Sequence, residues 1–299
     1  MFVLNFIRGI FMAMADSVPG VSGGTIAFIL GFYDQFISAL DSLTSKNSKK
    51  EKKKALTFLF KIGCGWVFGF IFSVLFISTI FEKEIYKISS LFVGFIIVSI
   101  PIILKEEKKS IIGKYQNISY LILGAVLVGV ITYFNPVSNG DGTTISLANP
   151  SIALYFYVFI CGMIAISAMV LPGISGSTLL LIFGLYAPII SGIKETLTFN
   201  LTYVPILFVF GLGVITGILT TIKVIKKMLI CRRSQLIYFI LGLMIASIYA
   251  VFMGPTTLEN PLPAMNMSTF SILFFIIGGG IIVLLEQVKL KLEKKKLNK

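Results

Sequence analysis

The chain of 299 residues is 56% hydrophobic and only 13% charged, with a mean hydropathy of +0.95, which excludes an ordinary soluble domain and makes lipid the solvent of the fold. A net charge of +13 would suit nucleic acid, but the cations are gathered in a few short segments between apolar stretches, so no nucleic-acid partner is read from them. The absence of histidine removes the usual proton shuttle and the commonest metal ligand, and Cys64, Cys161 and Cys231 lack metal-ligand spacing, so neither a metal nor a cofactor is expected.

In chain order, residues 1–40 begin with an apolar arm of about 15 residues, roughly 22 Å of helix, which falls short of about 30 Å of hydrocarbon. The arm lacks a small-x-small cleavage pattern and is expected to stay in the mature protein. It runs into Ser17-Val18-Pro19-Gly20-Val21-Ser22-Gly23-Gly24-Thr25, a composition that leaves the helix, and the chain then returns. A re-entrant helical hairpin is predicted. Three spans follow at 57–81, 88–104 and 118–134. A second hairpin over 151–193 turns at Leu171-Pro172-Gly173, and three more spans lie at 200–222, 234–253 and 269–285. The predicted class is all-α and polytopic.

Of the 26 Lys and Arg residues, 21 fall in 41–56, 105–117, 223–233 and the tail from 286, and these segments are placed in the cytoplasm by the positive-inside bias. Loops 82–87, 135–150, 194–199 and 254–268 are then outside, and both termini are cytoplasmic. Segments 1–40 and 151–193 must each enter and leave by one face. Two short complete crossings would also satisfy this; the shortness of the first arm favours the hairpin.

The phrase recurs 153 positions on as Val170-Leu171-Pro172-Gly173-Ile174-Ser175-Gly176-Ser177-Thr178, and aligning 7–40 on 160–193 gives 13 identities in 34. A shift of 148 pairs Gly63, Gly65 and Gly69 with Gly211, Gly213 and Gly217, glycines expected to serve close helix packing. The halves are therefore 1–150 and 151–299, each a hairpin plus three spans. Three is odd, so the second half is inverted relative to the first, an architecture of secondary transporters.

Unpaired backbone in hydrocarbon costs several kcal/mol per group unless it is buried in protein or lines a wet cavity, so two breaks imply a cavity. After each Pro-Gly a new helix begins, with Ser22 or Ser175 at its cap and the amides of Gly23 and Gly24, or of Gly176 and Ser177, just beyond. Such amides attract an anion, and Thr25 and Thr178 add hydroxyls. The candidate substrate-binding set is Ser17, Pro19, Gly20, Ser22, Gly23, Gly24, Thr25, Pro172, Gly173, Ser175, Gly176, Ser177 and Thr178, closing on one phosphate-sized headgroup. Arg8, two helical turns before Asp16, is added because it could reach a phosphate, pair with Asp16 or snorkel to headgroups. Asp16 and Asp34 are candidate coupling groups; their repeat mates are Met169 and Ala187, so the halves are chemically unequal. No catalytic pair stands beside either motif.

At these residues, Ala15 to Ala27 with Gly31-Phe32-Tyr33-Asp34 and then Leu171 to Ser177, the chain resembles the PopT-type polyprenyl-phosphate translocases, a family long catalogued without a function. The resemblance runs over nearly the whole chain. It implies a bacterial plasma-membrane flippase, not an enzyme, that returns undecaprenyl phosphate from the outer to the inner leaflet for reuse in cell-wall synthesis. One rival is a membrane-embedded polyprenyl pyrophosphate phosphatase, whose similar motif continues with an arginine beside a glutamate cluster; here Gly23 and Gly24 follow Ser22. The other rival carries a small soluble anion. The oligomeric state is not read.

Overall fold

A computed structural model of the chain describes residues 2–16, 22–45, 47–73, 78–133, 151–174, 176–197, 199–257 and 262–297. All regular structure among them is helical. The first half holds α1 (Phe2–Asp16), α2 (Gly23–Ile29), α3 (Tyr33–Thr44), α4 (Lys49–Phe72), α5 (Ser78–Glu106), α6 (Lys108–Ile111) and α7 (Ile118–Tyr133). The second holds α8 (Ile152–Val170), α9 (Gly176–Ile182), α10 (Tyr186–Leu197), α11 (Val204–Cys231), α12 (Arg233–Met253) and α13 (Ile272–Leu297).

Among the described residues six helices are long and apolar enough to cross a membrane: Lys49–Phe72, Glu84–Glu106, Tyr115–Tyr133, Ile152–Val170, Leu201–Cys231 and Arg233–Thr256. This makes the chain a multi-pass membrane protein. Five of these correspond to predicted spans, with shifted bounds. The first span begins inside the lysine run because Ser48 starts the helix with a closed capping box: its hydroxyl accepts the Glu51 N–H at 3.3 Å, and the Glu51 carboxylate accepts the Ser48 N–H at 3.1 Å. The expected loop 82–87 lies within α5, which is interrupted only by non-helical backbone at Glu84 (φ −124°, ψ 28°). The predicted span 269–285 is shorter as an apolar helix, Ile272–Leu284. In exchange α8, expected as a hairpin arm, has 19 residues and is itself of membrane length.

Helices pack in pairs whose backbones nearly touch. On α1 and α4, a Cβ at Gly9 would stand 2.1 Å from the Ile62 carbonyl oxygen and one at Gly65 1.9 Å from that of Phe6. On α8 and α11, a Cβ at Gly213 would stand 2.2 Å from the Phe159 oxygen, and one at Gly217 2.4 Å from that of Met163. The third helix pair is α5 with α13, through Gly94 and Gly278, and the fourth is α7 with α12, through Gly124 and Gly242. Small residues at these contacts do what hydrophobic burial cannot do between helices in lipid: they let main chains approach. Gly63 and Gly211 depart from the expectation, since a Cβ at either meets nothing within 4 Å.

The turns after α2 and α9 are built alike. Gly31 and Gly184 take φ of +65° and +66°, and the next residue's N–H returns to a carbonyl five back: Phe32 to Ala27 at 3.0 Å, Leu185 to Leu180 at 2.8 Å. This is a glycine-terminated helix end, and only glycine adopts that φ without cost.

Acidic groups on α3 fasten it to the second half. Asp41 pairs with Lys226 of α11, and Asp34 pairs with Arg233 of α12 at 2.6 Å. The Arg233 guanidinium also holds Glu107, with its Nε 3.0 Å from the carboxylate.

Candidate functional site

The start of α2, which follows the first Pro-Gly phrase in sequence, meets the second Pro-Gly turn at Leu171 to Gly173. Ser22 has extended backbone (φ −134°, ψ 154°) and caps α2, its Oγ accepting the Thr25 N–H at 3.3 Å. All seven residues of α2 are buried. On the other side α8 stops at Val170, and the chain turns through Pro172 and Gly173, whose φ is +94°. Glycine is required at 173 twice over, because a Cβ there would also stand 2.6 Å from the Leu243 backbone.

A hydrogen-bond relay crosses the junction. The Gly173 N–H donates to Thr25 Oγ1 at 2.8 Å, the Thr25 and Ser22 hydroxyls lie 3.1 Å apart, and Ser22 donates to the Leu171 carbonyl at 3.3 Å. A hydroxyl has one proton, so with Ser22 giving its proton to Leu171, Thr25 must be the donor between them. Tyr33, 2% exposed, donates its hydroxyl to the Val170 carbonyl at 3.1 Å. Gly24 fits where a Cβ would stand 2.8 Å from that same Val170 oxygen.

Asp16, the last residue of α1, holds the other amide. Its carboxylate accepts the Gly23 N–H at 2.6 Å on one oxygen and the Trp66 indole N–H at 2.9 Å on the other. A cavity of about 350 Å³ lies on one side of it, bounded by Met12, Gly23, Gly24, Ile62, Gly63 and Trp66 among others. A second cavity, of about 260 Å³, lies on the other and includes Gly162, Gly176, Phe210 and Val214. The walls of both cavities are apolar, and among the described residues Asp16 is the one ionisable side chain that lines them.

Of the residues singled out from sequence, the structure therefore gathers Asp16, Ser22, Gly23, Gly24, Thr25, Pro172 and Gly173 at one junction, with Gly176 on the far cavity wall. Ser177 and Thr178 lie on α9. Ser17, Pro19, Gly20 and Ser175 fall outside the described residues. Arg8 is elsewhere: it donates to Asn5 Oδ1 at 3.1 Å, stacks 4.5 Å from the Phe32 ring centroid and lines a small separate cavity with Glu286. The partners of Asp16 are Gly23 and Trp66, so of the three alternatives for Arg8 the pairing with Asp16 is not formed. Asp34, next to Tyr33 in the chain, pairs instead with Arg233.

Sequence reasoning missed two participants. Trp66 is the only tryptophan, placed between Gly65 and Gly69 on the helix against which α1 packs, and that placement was the available signal. Tyr33 was visible as a repeat identity with Tyr186, but its buried bond to Val170 joins residues 137 apart and leaves no local trace.

A helical bundle of membrane-length spans, inside which the start of α2 bonds to the turn at Leu171 to Gly173, defines a polytopic membrane protein. The chain belongs to the family described as VCA0040-like, undecaprenyl phosphate translocase-like, which it matches over residues 12–269. It is similar to the polyprenyl-phosphate transporter of Vibrio cholerae serotype O1, with 32% identity over 287 residues that cover 90% of this chain and 86% of that protein. It is also similar to the polyprenyl-phosphate transporter of Staphylococcus aureus, with 33% identity over 280 residues, 92% of this chain and 93% of that protein. No solved structure matches the chain.

Proposed function

We propose that this protein is a transporter, not an enzyme, which moves a polyprenyl phosphate such as undecaprenyl phosphate from the outer to the inner leaflet of the bacterial plasma membrane, for reuse in envelope synthesis. The observation that carries the reading is the junction itself: a backbone amide from one half, Gly173, bonded to the hydroxyl relay of the other, beside a second amide, Gly23, already engaged with an anion. The names of the two relatives supply the class of lipid.

In this reading the halves 1–150 and 151–299 are inverted repeats, and 1–40 and 151–193 are helical hairpins whose tips meet within the bilayer. The matched glycine contacts and the matched turns at Gly31 and Gly184 support the duplication. Both return arms are broken into a helix of 7 residues and one of 12, none long enough to cross alone. Both termini lie in the cytoplasm, with the lysine-rich segments.

The headgroup binds at the Gly23 end of the junction, with Ser17, Pro19, Gly20, Ser22, Gly24 and Thr25 from one tip and Pro172, Gly173, Ser175, Gly176, Ser177 and Thr178 from the other. Asp16 then stands as the resident anion. A phosphate reaching the Gly23 amide meets a carboxylate, and two anions do not share one donor in a low-dielectric site. Headgroup binding therefore requires Asp16 to swing aside or to take up a proton. The groups that face it are the Gly23 N–H of α2, Trp66 of α4, and Ile166 and Met169 of α8, none of them a competing titratable side chain.

The test is reconstitution in liposomes with a fluorescent polyprenyl phosphate, reading its leaflet over time. Net movement dependent on the protein is the expected result, and Asp16→Asn should slow it and flatten its pH dependence. Release of inorganic phosphate from a polyprenyl pyrophosphate, without movement of the monophosphate, would overturn the assignment.

A further inference from the structure

The two cavities beside Asp16 are copies of one another. With the same offsets that align the halves, Asp16, Gly23, Ile62 and Trp66 of the larger correspond to Met169, Gly176, Phe210 and Val214 of the smaller, and all eight residues are wall residues. Packing alone does not require a duplicated void at membrane depth, because dispersion contacts are lost wherever a wall has no partner. Each void has carbon walls, and its polar end is the junction.

We infer that the larger cavity is the site for the isoprenoid tail of the transported lipid, holding the units next to the phosphate, and that its repeat mate holds the same units after the headgroup passes Asp16. This rests on the transport reading above. The tail is the occupant the geometry selects, because the cavity is continuous with the Gly23 amide through Asp16, Gly23 and Gly24, which line it. Its mouth is at Gly63, an exposed position where a Cβ would meet nothing within 4 Å, on the membrane-length helix Lys49–Phe72. A headgroup at the junction thus keeps its first isoprene units in a carbon-lined groove that opens to lipid, and the tail need not cross water. The absence of a Cβ at Gly63, which makes no close helix contact and lines the larger cavity, is accounted for by the same need for an open wall.

Trp66 lines the larger cavity and is the only tryptophan in the chain, so its fluorescence reads the site directly. The full-length protein is placed in phosphatidylcholine vesicles with a polyprenyl phosphate brominated on its first isoprene units. The expected result is quenching of Trp66 at a mole fraction where brominated phosphatidylcholine quenches it little. Equal quenching by the two lipids means a general lipid crevice and overturns the tail site. In the transport assay Gly63→Phe, which fills the open space, should fall to the level of protein-free liposomes while retaining the wild-type melting temperature, and Gly63→Ala should transport. Wild-type transport by Gly63→Phe also overturns the tail site; should that variant fail to fold, the quenching comparison on the unmodified protein decides alone. A wild-type protein that shows selective quenching but moves no lipid phosphate retains the tail site and sinks the transport reading instead.

Discussion

Thr25→Val removes a single oxygen from the junction and leaves its shape. Thr25 is fully buried, and its Oγ1 is the acceptor for the Gly173 N–H at 2.8 Å and the proton donor to Ser22 at 3.1 Å. The valine methyl occupies the same volume and does neither. Gly173 is buried and carries no side chain, so its N–H is left without a partner, a cost of about 1–3 kcal/mol and a shift of about fivefold to 150-fold against the joined tips. Two readouts follow: a lower melting temperature in detergent, followed by Trp66 fluorescence, and an altered rate of lipid-phosphate movement in liposomes. Thr25→Ser, which restores the hydroxyl, should recover most of both. Because Ser22 and Thr25 share one relay, Ser22→Ala combined with Thr25→Val should cost less than the two single changes added together. Thr25→Val with wild-type melting and wild-type transport would refute the claim that the relay joins the halves.

Close helix packing makes a contrast inside one triplet: Gly213→Ala puts a Cβ 2.2 Å from the Phe159 oxygen and should destabilise by about 1–3 kcal/mol. Gly211→Ala meets nothing within 4 Å and should melt as wild type, and equal effects of the two would remove the packing argument. Lys226→Met strands the Asp41 carboxylate, whose side chain is 8% exposed, and should cost about 1–2 kcal/mol, less than a fully buried pair because Lys226 stays partly wet. The exchange Asp41→Lys with Lys226→Asp should recover part of that loss in a melting experiment; no recovery would mean the attraction between the two charges is not what holds α3. Tyr33→Phe loses the bond to Val170 and should lower stability by about 0.5–1.5 kcal/mol, checked by the same melting curves.

What sequence could reveal here is what repeats or alternates locally. The apolar spans, the lysine segments and the two Pro-Gly phrases are patterns within a few tens of residues, and five of the six expected spans are helices of membrane length. The start of α4 was also legible, since Ser48 and Glu51 stand at the capping-box spacing, but the lysines between them read more loudly as loop. Arg8 shows the limit of periodicity. Eight residues do put Arg8 and Asp16 on one face of α1, yet which face meets which neighbour is decided by α4, and α4 offers Asp16 an indole 50 residues away. Likewise Asp34 and Asp41, seven apart on α3, plainly share a face, but nothing local says that Arg233 and Lys226 wait opposite.

The duplication is mechanical before it is chemical. Both halves repeat the same glycine contacts and turn at the same glycine, yet only the first places a carboxylate where the paired cavities adjoin, and Met169 stands at the equivalent position. Trp66 of the first half has Val214 at the equivalent position of the second, and Tyr33, 2% exposed, has a mate in Tyr186 that is 38% exposed. A symmetric scaffold needs equal packing in its two halves so that either side can open at similar cost. Direction requires the opposite, a group that interacts differently with the headgroup on its two sides, because a ligand shifts an equilibrium only by its differential affinity. On the transport reading proposed above, Asp16, held by Trp66 and the Gly23 amide, is where that difference is built in. Exchanging the partners, with Asp16→Met and Met169→Asp in one chain, should keep the fold and alter the pH dependence or direction of transport; an exchanged protein that transports as the wild type does would place the asymmetry elsewhere.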